Sequence, residues 1–397
     1  KRSPFVKIVF YCQHVLGMGH YFRSLEILKA LSGHEVVFVT GGPEAPVSPG
    51  PEIRIARLPA IEMDENFRAI GVSGGDGQAG DVLERVKDER RRLLLELMKR
   101  ERPDVFFVEL YPFGRKAFEF ELLPVLEAVR RGDCGKVLCV CGLRDILVEK
   151  SDQDKFEKRA LSRLNALFDG LVVHADPALF PLEATFSRTA EITVPIAYAG
   201  YVAQDPGPVR GGMRAALGVA PGRKLVTVSA GGGKVGGEVL EAVLAAGALL
   251  AGEFPLSLRL FTGPFASDAA FAGLRKRAAK LEDARVERFS PDFPAILAET
   301  DLSVSMAGYN TVMALLRAGT PALVRPFAQN REQGMRAGRL AGLGLLDVLE
   351  EADLDPGRMA ERMRRILREG RAERACAIDL NGAANTAAIL ERWALEA

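Results

Sequence analysis

At 397 residues the chain is too long for one ordinary core and suits two domains of about 180–200 residues each. Its 48% hydrophobic and 26% charged content is that of a soluble globular protein, and a formal net charge of +1 excludes a dedicated nucleic-acid binder, which carries a strong basic excess. No run reaches about 18 apolar residues, so no membrane span is expected. The five cysteines (Cys12, Cys134, Cys139, Cys141 and Cys376) lack paired zinc spacing and read as buried thiols in a reducing cytoplasm.

Lys7 interrupts the opening apolar run, so KRSPFVKIVFYC is a strand from Val6 to Tyr11 and not a signal sequence. A Gly-rich turn and a helix over Tyr21–Leu31 follow, then strands over Glu35–Val39 and Ile53–Leu58. The stretch from Met63 to Gly80 has no useful period and predicts a loop. Beyond it come a charged helix (Asp81–Arg102), a strand (Val105–Val108), a helix (Lys116–Arg131) and a strand (Val137–Val140). The loop Gly142–Asp145, a helix (Phe156–Phe168) and a strand (Gly170–Val173) close this half. Ala199–Gly222 is rich in Gly and Pro and predicts the interdomain segment.

A second series follows: strand Leu225–Val228, loop Gly231–Gly237, helix Glu238–Leu250, strand Ser257–Phe261, helix Phe271–Leu281 and strand Arg285–Glu287. Strand Leu302–Val304 breaks at Ser305–Gly308 into a helix, strand Ala322–Val324 leads to a polar loop with Arg331, Glu332 and Gln333, and Thr386–Leu395 is a closing helix with the sole tryptophan, Trp393. Such alternation implies α/β architecture with parallel sheets and sites at the carboxyl ends of strands. The expected domains are 1–200, 201–380 and a C-terminal helix, 381–397.

In the first half, His20 follows Gly17-Met18-Gly19 just beyond a buried strand. Gly17 and Gly19 let a substrate approach, and an imidazole of near-neutral pKa accepts a hydroxyl proton. A lone histidine there also serves as a capping or packing group. His14 is its rival; His34 reads as a strand-entry residue and His174 as a strand-exit residue. Asp145 could orient the imidazole, or act as an N-cap or a partner of Arg144; Glu109 ends a neighbouring strand. Arg90-Arg91-Arg92 lie on a helix with Leu93, Leu94, Leu97 and Met98. A basic amphipathic face of that kind docks on anionic lipid, here at the inner face of a membrane, or packs its apolar side and leaves the charges solvated.

In the second half, Gly231-Gly232-Gly233-Lys234-Val235-Gly236 matches G-x-G-x-x-G between a strand and a helix. The next strand ends Leu260-Phe261-Thr262-Gly263 without the carboxylate a nicotinamide site needs, and Val235 after Lys234 excludes a Walker loop. A glycine turn remains, either tight or approaching a phosphate. Ser305, Gly308, Asn310 and Thr311 gather at a strand-to-helix turn whose free amides and dipole suit a phosphate, or which Asn310 or Thr311 merely caps. Ser290, just past the Arg285–Glu287 strand, joins the nucleotide-side set.

Ser305-x-x-Gly308-x-x-Thr311 followed by Glu332-Gln333 resembles the donor half of GT-B glycosyltransferases. The similarity is greatest to the lipid-linked N-acetylglucosaminyltransferases of peptidoglycan synthesis, and extends to the UDP-glycosyltransferases. The resemblance implies two facing Rossmann-like domains with an interdomain cleft, and an inverting, metal-independent transfer from a nucleotide-diphosphate sugar, UDP-linked in that family, to an acceptor hydroxyl. It implies the diphosphate on Ser305, Gly308, Thr311 and the Gly231–Gly233 loop, the sugar on Glu332 and Gln333, His20 as base, no cofactor beyond the sugar nucleotide, and an acceptor that is lipid-linked or a glycan. The family's ribose-binding glutamate is here Ala314. A nucleotide-sugar epimerase or hydrolase on the same fold, or a non-catalytic nucleotide-sugar-binding subunit, are the competing expectations.

Overall fold

The computed structural model describes residues 5–13, 19–42, 47–63, 69–71, 79–207, 212–370 and 377–397. They form two compact units, one of Lys1–Val202 with Ile378–Ala397 and one of Ala203–Ala377. His14, Gly17 and Cys376 lie outside the described residues, as does much of the predicted loop over Met63–Gly80. No described helix is long and apolar enough to cross a membrane.

The first unit runs β1 (Lys7–Tyr11), α1 (Gly19–Ala30), β2 (Glu35–Thr40), β3 (Arg54–Arg57), a short antiparallel pair β4 (Glu62–Met63) and β5 (Ala69–Gly71), α2 (Ala79–Glu101) and β6 (Val105–Glu109). It continues with α3 (Glu119–Arg130), β7 (Leu138–Arg144), α4 (Gln153–Leu167), β8 (Gly170–His174) and β9 (Ile196–Tyr198). Its seven-stranded sheet has the order β3-β2-β1-β6-β7-β8-β9, with every pairing parallel. Parallel strands covered on both faces read as unbroken apolar runs, which is why KIVFY, VFFVE and GLVVH were legible. Phe10 anchors the core between Phe107 and Phe38, at centroid distances of 4.7 and 5.9 Å. The strand order reverses between β1 and β6, so the carboxyl ends of these two strands form the switch point where α/β sheets bind ligands.

The second unit repeats the plan: α5 (Met213–Ala216), β10 (Lys224–Ser229), α6 (Gly237–Leu250), β11 (Leu256–Phe261), α7 (Asp268–Ala278), β12 (Ala284–Glu287) and α8 (Phe293–Ala298). Next come β13 (Leu302–Met306), α9 (Tyr309–Ala318), β14 (Ala322–Arg325), α10 (Arg331–Gly342), β15 (Asp347–Val348) and α11 (Pro356–Glu369). The all-parallel order is β12-β11-β10-β13-β14-β15, with the switch point between β10 and β13. The final helix α12 (Gly382–Glu396) belongs to the first unit: Ile389 and Leu390 enter the core that holds Phe10 and Leu25. Trp393 packs so closely on Gly170 that a Cβ there would collide with the indole.

Several expectations change. β7 continues through Gly142, Leu143 and Arg144, predicted as loop, because Glu109 and His174 supply parallel partners on either side. The predicted loop at Met63 contains β4 and β5, and β9 and α8 were not predicted. The arginine run on α2 is not a uniform basic face. Arg90 is fully buried, with Nε and Nη2 each donating at 2.7 Å to Glu121, which also accepts from the Tyr11 hydroxyl. Arg91 pairs with Asp88 and Arg92 with Glu96 on the same helix. A buried bidentate pair fixes how α2 meets α3, since either partner alone would be an uncompensated interior charge.

Candidate active-site residues

His20 stands in the first turn of α1, after β1, and Glu109 is the last residue of β6. The switch point therefore brings the two side chains together: His20 Nδ1 is 2.7 Å from Glu109 Oε1. Arg23, three residues along the same helix face, donates through Nη2 to that oxygen. Arg23 is 2% exposed and Glu109 1%, while the His20 side chain keeps 20% of its surface accessible. Burial pushes Glu109 upward, but the charges of His20 and Arg23 and the hydrogen bond from His20 outweigh it and hold the carboxyl below its usual range. Burial drives the imidazole down to about 3 against the pull of Glu109, with Arg115 and Arg23 also opposing its protonation. A neutral ring beside an ionised carboxylate has one satisfactory tautomer: Nδ1–H donates to Glu109, and Nε2 keeps its lone pair.

The carboxylate on His20 is thus Glu109 and not Asp145. Asp145 is buried in the segment after β7, one strand farther from β1, and the described contacts of the imidazole are to Glu109 and Arg23. Gly19 opens α1 directly before His20. His34 is indeed at the entry to β2, where its Nδ1 accepts from Val6 N at 3.3 Å. His174 is fully buried and its Nε2 lies 3.1 Å from Thr386 Oγ1, tying β8 to α12. Cys12, Cys134, Cys139 and Cys141 are buried free thiols.

In the second unit, α9 starts at Tyr309 with Gly308 as an extended N-cap and no side-chain cap. The expected capping by Asn310 or Thr311 does not occur; both sit half-buried in the first turn, with the backbone amides facing outward along the axis. Ser305 is a correction. It is a buried residue of β13, held in the strand by pairing to Val324, and its Oγ has no hydrogen-bond partner. Ala307 N still bonds Arg325 O at 2.9 Å, so the turn begins only at Gly308. Ala314 is buried.

The loop from Gly231 to Gly236 leaves β10 at the same switch point. Ser229 Oγ accepts from Gly231 N at 3.1 Å. Gly233, at φ +90°, has space for no side chain: a Cβ would lie 2.5 Å from Thr262 O. That glycine serves close packing onto the β11 loop, whereas Gly231 and Gly232 are exposed, with open space beside Gly231 and the Phe265 ring 3.9 Å from where a Cβ of Gly232 would lie. α6 then begins after Gly236, also without a side-chain cap. Glu332 and Gln333, expected in a loop, lie in the first turn of α10. Glu332 is buried; Gln333 Oε1 accepts from Phe327 N at 3.0 Å. Ser290 is engaged locally, accepting through Oγ from Asp292 N at 3.2 Å. Sequence reading missed Arg336, whose buried guanidinium sits 5.1 Å over the Tyr309 ring at the start of α9. It missed Arg23 as well, since nothing in an Arg-Ser-Leu helix turn announces a buried ion pair.

Residues 232–388 match the glycosyltransferase family 28 C-terminal domain. The chain is 35% identical over 101 residues to a UDP-N-acetylglucosamine–N-acetylmuramyl-(pentapeptide) pyrophosphoryl-undecaprenol N-acetylglucosamine transferase of Brucella canis; the alignment covers 25% of this chain and 27% of that relative. Solved structures match across nearly the whole length. The MurG of Acinetobacter baumannii aligns over 97% of this chain and 99% of its own, with a TM-score of 0.57 at 17% identity. A UDP-glucosyltransferase from Polygonum tinctorium aligns over 100% and 99%, with a TM-score of 0.61 at 14% identity. The fold is therefore GT-B, with two α/β units built on parallel sheets.

Proposed function

We propose that the protein is a glycosyltransferase moving a hexose or N-acetylhexosamine from a UDP-linked donor to an acceptor hydroxyl, with inversion and without a metal. The observation that carries this reading is the 2.7 Å contact between His20 Nδ1 and the buried Glu109 carboxylate, which favours the tautomer that leaves Nε2 as a proton acceptor. The acceptor O–H gives its proton to Nε2 as the oxygen bonds the anomeric carbon. The bond from that carbon to the diphosphate oxygen breaks, and its electron pair leaves with the diphosphate. Glu109 stabilises the imidazolium. Attack opposite the leaving group inverts the centre. In the second unit, the uncapped amides of α9 and the loop at Gly231 and Gly232 suit a donor diphosphate and the charge it gains on leaving. The UDP-linked donor is favoured by the donor in the Brucella canis relative's name. That relative's pyrophosphoryl-undecaprenol acceptor makes a lipid-linked hydroxyl the first acceptor to assay.

Donor binding is tested by thermal shift with UDP, UDP-glucose and UDP-N-acetylglucosamine. At a free concentration about a hundredfold above Kd, the true donor adds about 2.7 kcal/mol of stability. Thr311→Ala and Asn310→Ala should each reduce the shift, because both lie in the α9 turn assigned to the diphosphate. UDP affinity unchanged in both variants, with the fold intact, removes that assignment. Turnover to free sugar and UDP without any acceptor would instead mark a hydrolase.

Gln333→Glu gives a finer test of the sugar subsite. The variant keeps an oxygen for Phe327 N but loses the amide donors. It should weaken the sugar nucleotide by about 0.5–1.5 kcal/mol while leaving UDP nearly untouched. Equal losses for both ligands would show that Gln333 only braces the loop.

A further inference from the structure

We infer that Arg23 is a positioning residue for the proposed base: by clamping Glu109 it selects the His20 tautomer that leaves Nε2 unprotonated. The inference rests on the transferase reading for the use made of Nε2, while the clamp stands on geometry alone. Both bonds fall on one oxygen. Glu109 Oε1 accepts from Arg23 Nη2 and from His20 Nδ1, and Glu109 Oε2 is buried without a partner among the described residues. A carboxyl so deeply buried, deprived of its cation, takes up a proton. Its new O–H would then donate to Nδ1, and the ring would carry its own proton on Nε2. In that state His20 cannot accept a proton from a substrate. The guanidinium thus decides, through Glu109, whether the imidazole is a base.

The other groups around the ring do not substitute for Arg23. Cys12 after β1 and Cys141 on β7 are buried thiols, the first pushed up to about 12 by burial and the second well above its usual range. Both are neutral across the working pH. His174 on β8 is held near 3 by burial, with the charge of Arg23 acting in the same direction, and is neutral too. Arg115, in the segment between β6 and α3, adds positive charge that reaches His20 and Glu109 but makes no ion pair with Glu109. Among the described residues, the charges facing His20 are Glu109, Arg23 and Arg115, and of the two cations only Arg23 bonds the carboxylate.

The test is nitrogen-15 NMR of histidine-labelled full-length protein without nucleotide. The chain has four histidines, so His20 is assigned by its disappearance in His20→Gln. The wild type should show a single Nδ1–H tautomer at pH 7 that persists below pH 5. Arg23→Lys should keep it. Arg23→Met should convert the ring to Nε2–H or raise its titration by about one pH unit or more. Should Arg23→Met fail to fold, Arg23→Met/Glu109→Gln removes both charges together, a change buried pairs tolerate; a glutamine both donates and accepts, so the ring should show mixed tautomers. Wild-type tautomer and titration in Arg23→Met, or an unmixed Nδ1–H tautomer in the double variant, overturns the clamp. A shifted tautomer in Arg23→Met, combined with undiminished turnover in His20→Ala, would leave the clamp standing and overturn its catalytic use.

Discussion

His20→Ala should leave UDP-sugar affinity nearly unchanged and lower turnover by about 10²–10⁴-fold, the usual loss on removing a general base. The separation follows from placement. His20 and Glu109 belong to the switch point of the first sheet, whereas the residues proposed to hold the nucleotide belong to that of the second. Glu109→Gln should give a smaller loss of the same kind, because an amide can still contact Nδ1 but no longer enforces a donor there or stabilises the imidazolium. Asp145→Asn should change little, since the ring's partner stays in place. Single-turnover assays with saturating UDP-sugar read the effect. Wild-type turnover in His20→Ala would dismiss the imidazole as base, and loss of donor affinity instead would relocate it to the nucleotide subsite.

Acidification from pH 7 to pH 5 should destabilise the first unit by about 3 kcal/mol, before its carboxylates begin to titrate. Burial lowers both His20 and His174 from 6.5 to about 3. In the unfolded chain they take up protons as the pH falls through 6.5, and in the folded chain they do not. Stability is therefore complete above about pH 6.5 and is lost as the pH falls toward 3, with a slope of about 1.4 kcal/mol per pH unit for each fully buried ring. His174 should approach that slope; His20, one-fifth exposed, should fall short of it. Glu101 acts in a lower window: hydrogen bonds from Arg54 and Lys7 hold it at about 2 despite partial burial, so its contribution is lost only below about 4.5. Urea melts followed by fluorescence report this unit directly, because the sole tryptophan, Trp393, packs against its core. His174→Gln should flatten the dependence by up to one histidine's share, and equal stability at pH 7 and pH 5 would contradict the burial of both rings.

The alternation of strands and helices was plain in the chain, because buried parallel strands leave apolar runs and βα turns leave glycines. What failed was decided by partners distant in sequence. Ser305 looked like a turn residue beside Gly308, yet pairing to Val324 and Arg325 on β14 extends the strand past it. Asp145 and Glu109 are equally good carboxylates beyond equally good strands. Only the order β1-β6-β7 tells which is next to His20. Arg90 sits in a run of three arginines, and its burial depends on Glu121, 31 residues away. The glycines of the 231–236 loop read either as a tight turn or as an approach to phosphate, and only the folded partner shows that Gly233 makes room for the backbone at Thr262. Residue type and spacing show which groups are present at a strand end; sheet order assigns their neighbours.

The return of the chain to its first unit also sets an order of assembly. Ile389 and Leu390 complete a core begun by Ile8, Phe10 and Leu25, and Gly170 waits for Trp393. On the ribosome, all of Ala203–Ala377 emerges between those two sets of residues. The second unit can close while the chain is still being made, but the first, although it begins earlier, stays open along α1 until α12 is released. A nascent chain stalled anywhere in the second unit would therefore carry an unfinished first domain with an apolar groove on its surface, a natural substrate for chaperones.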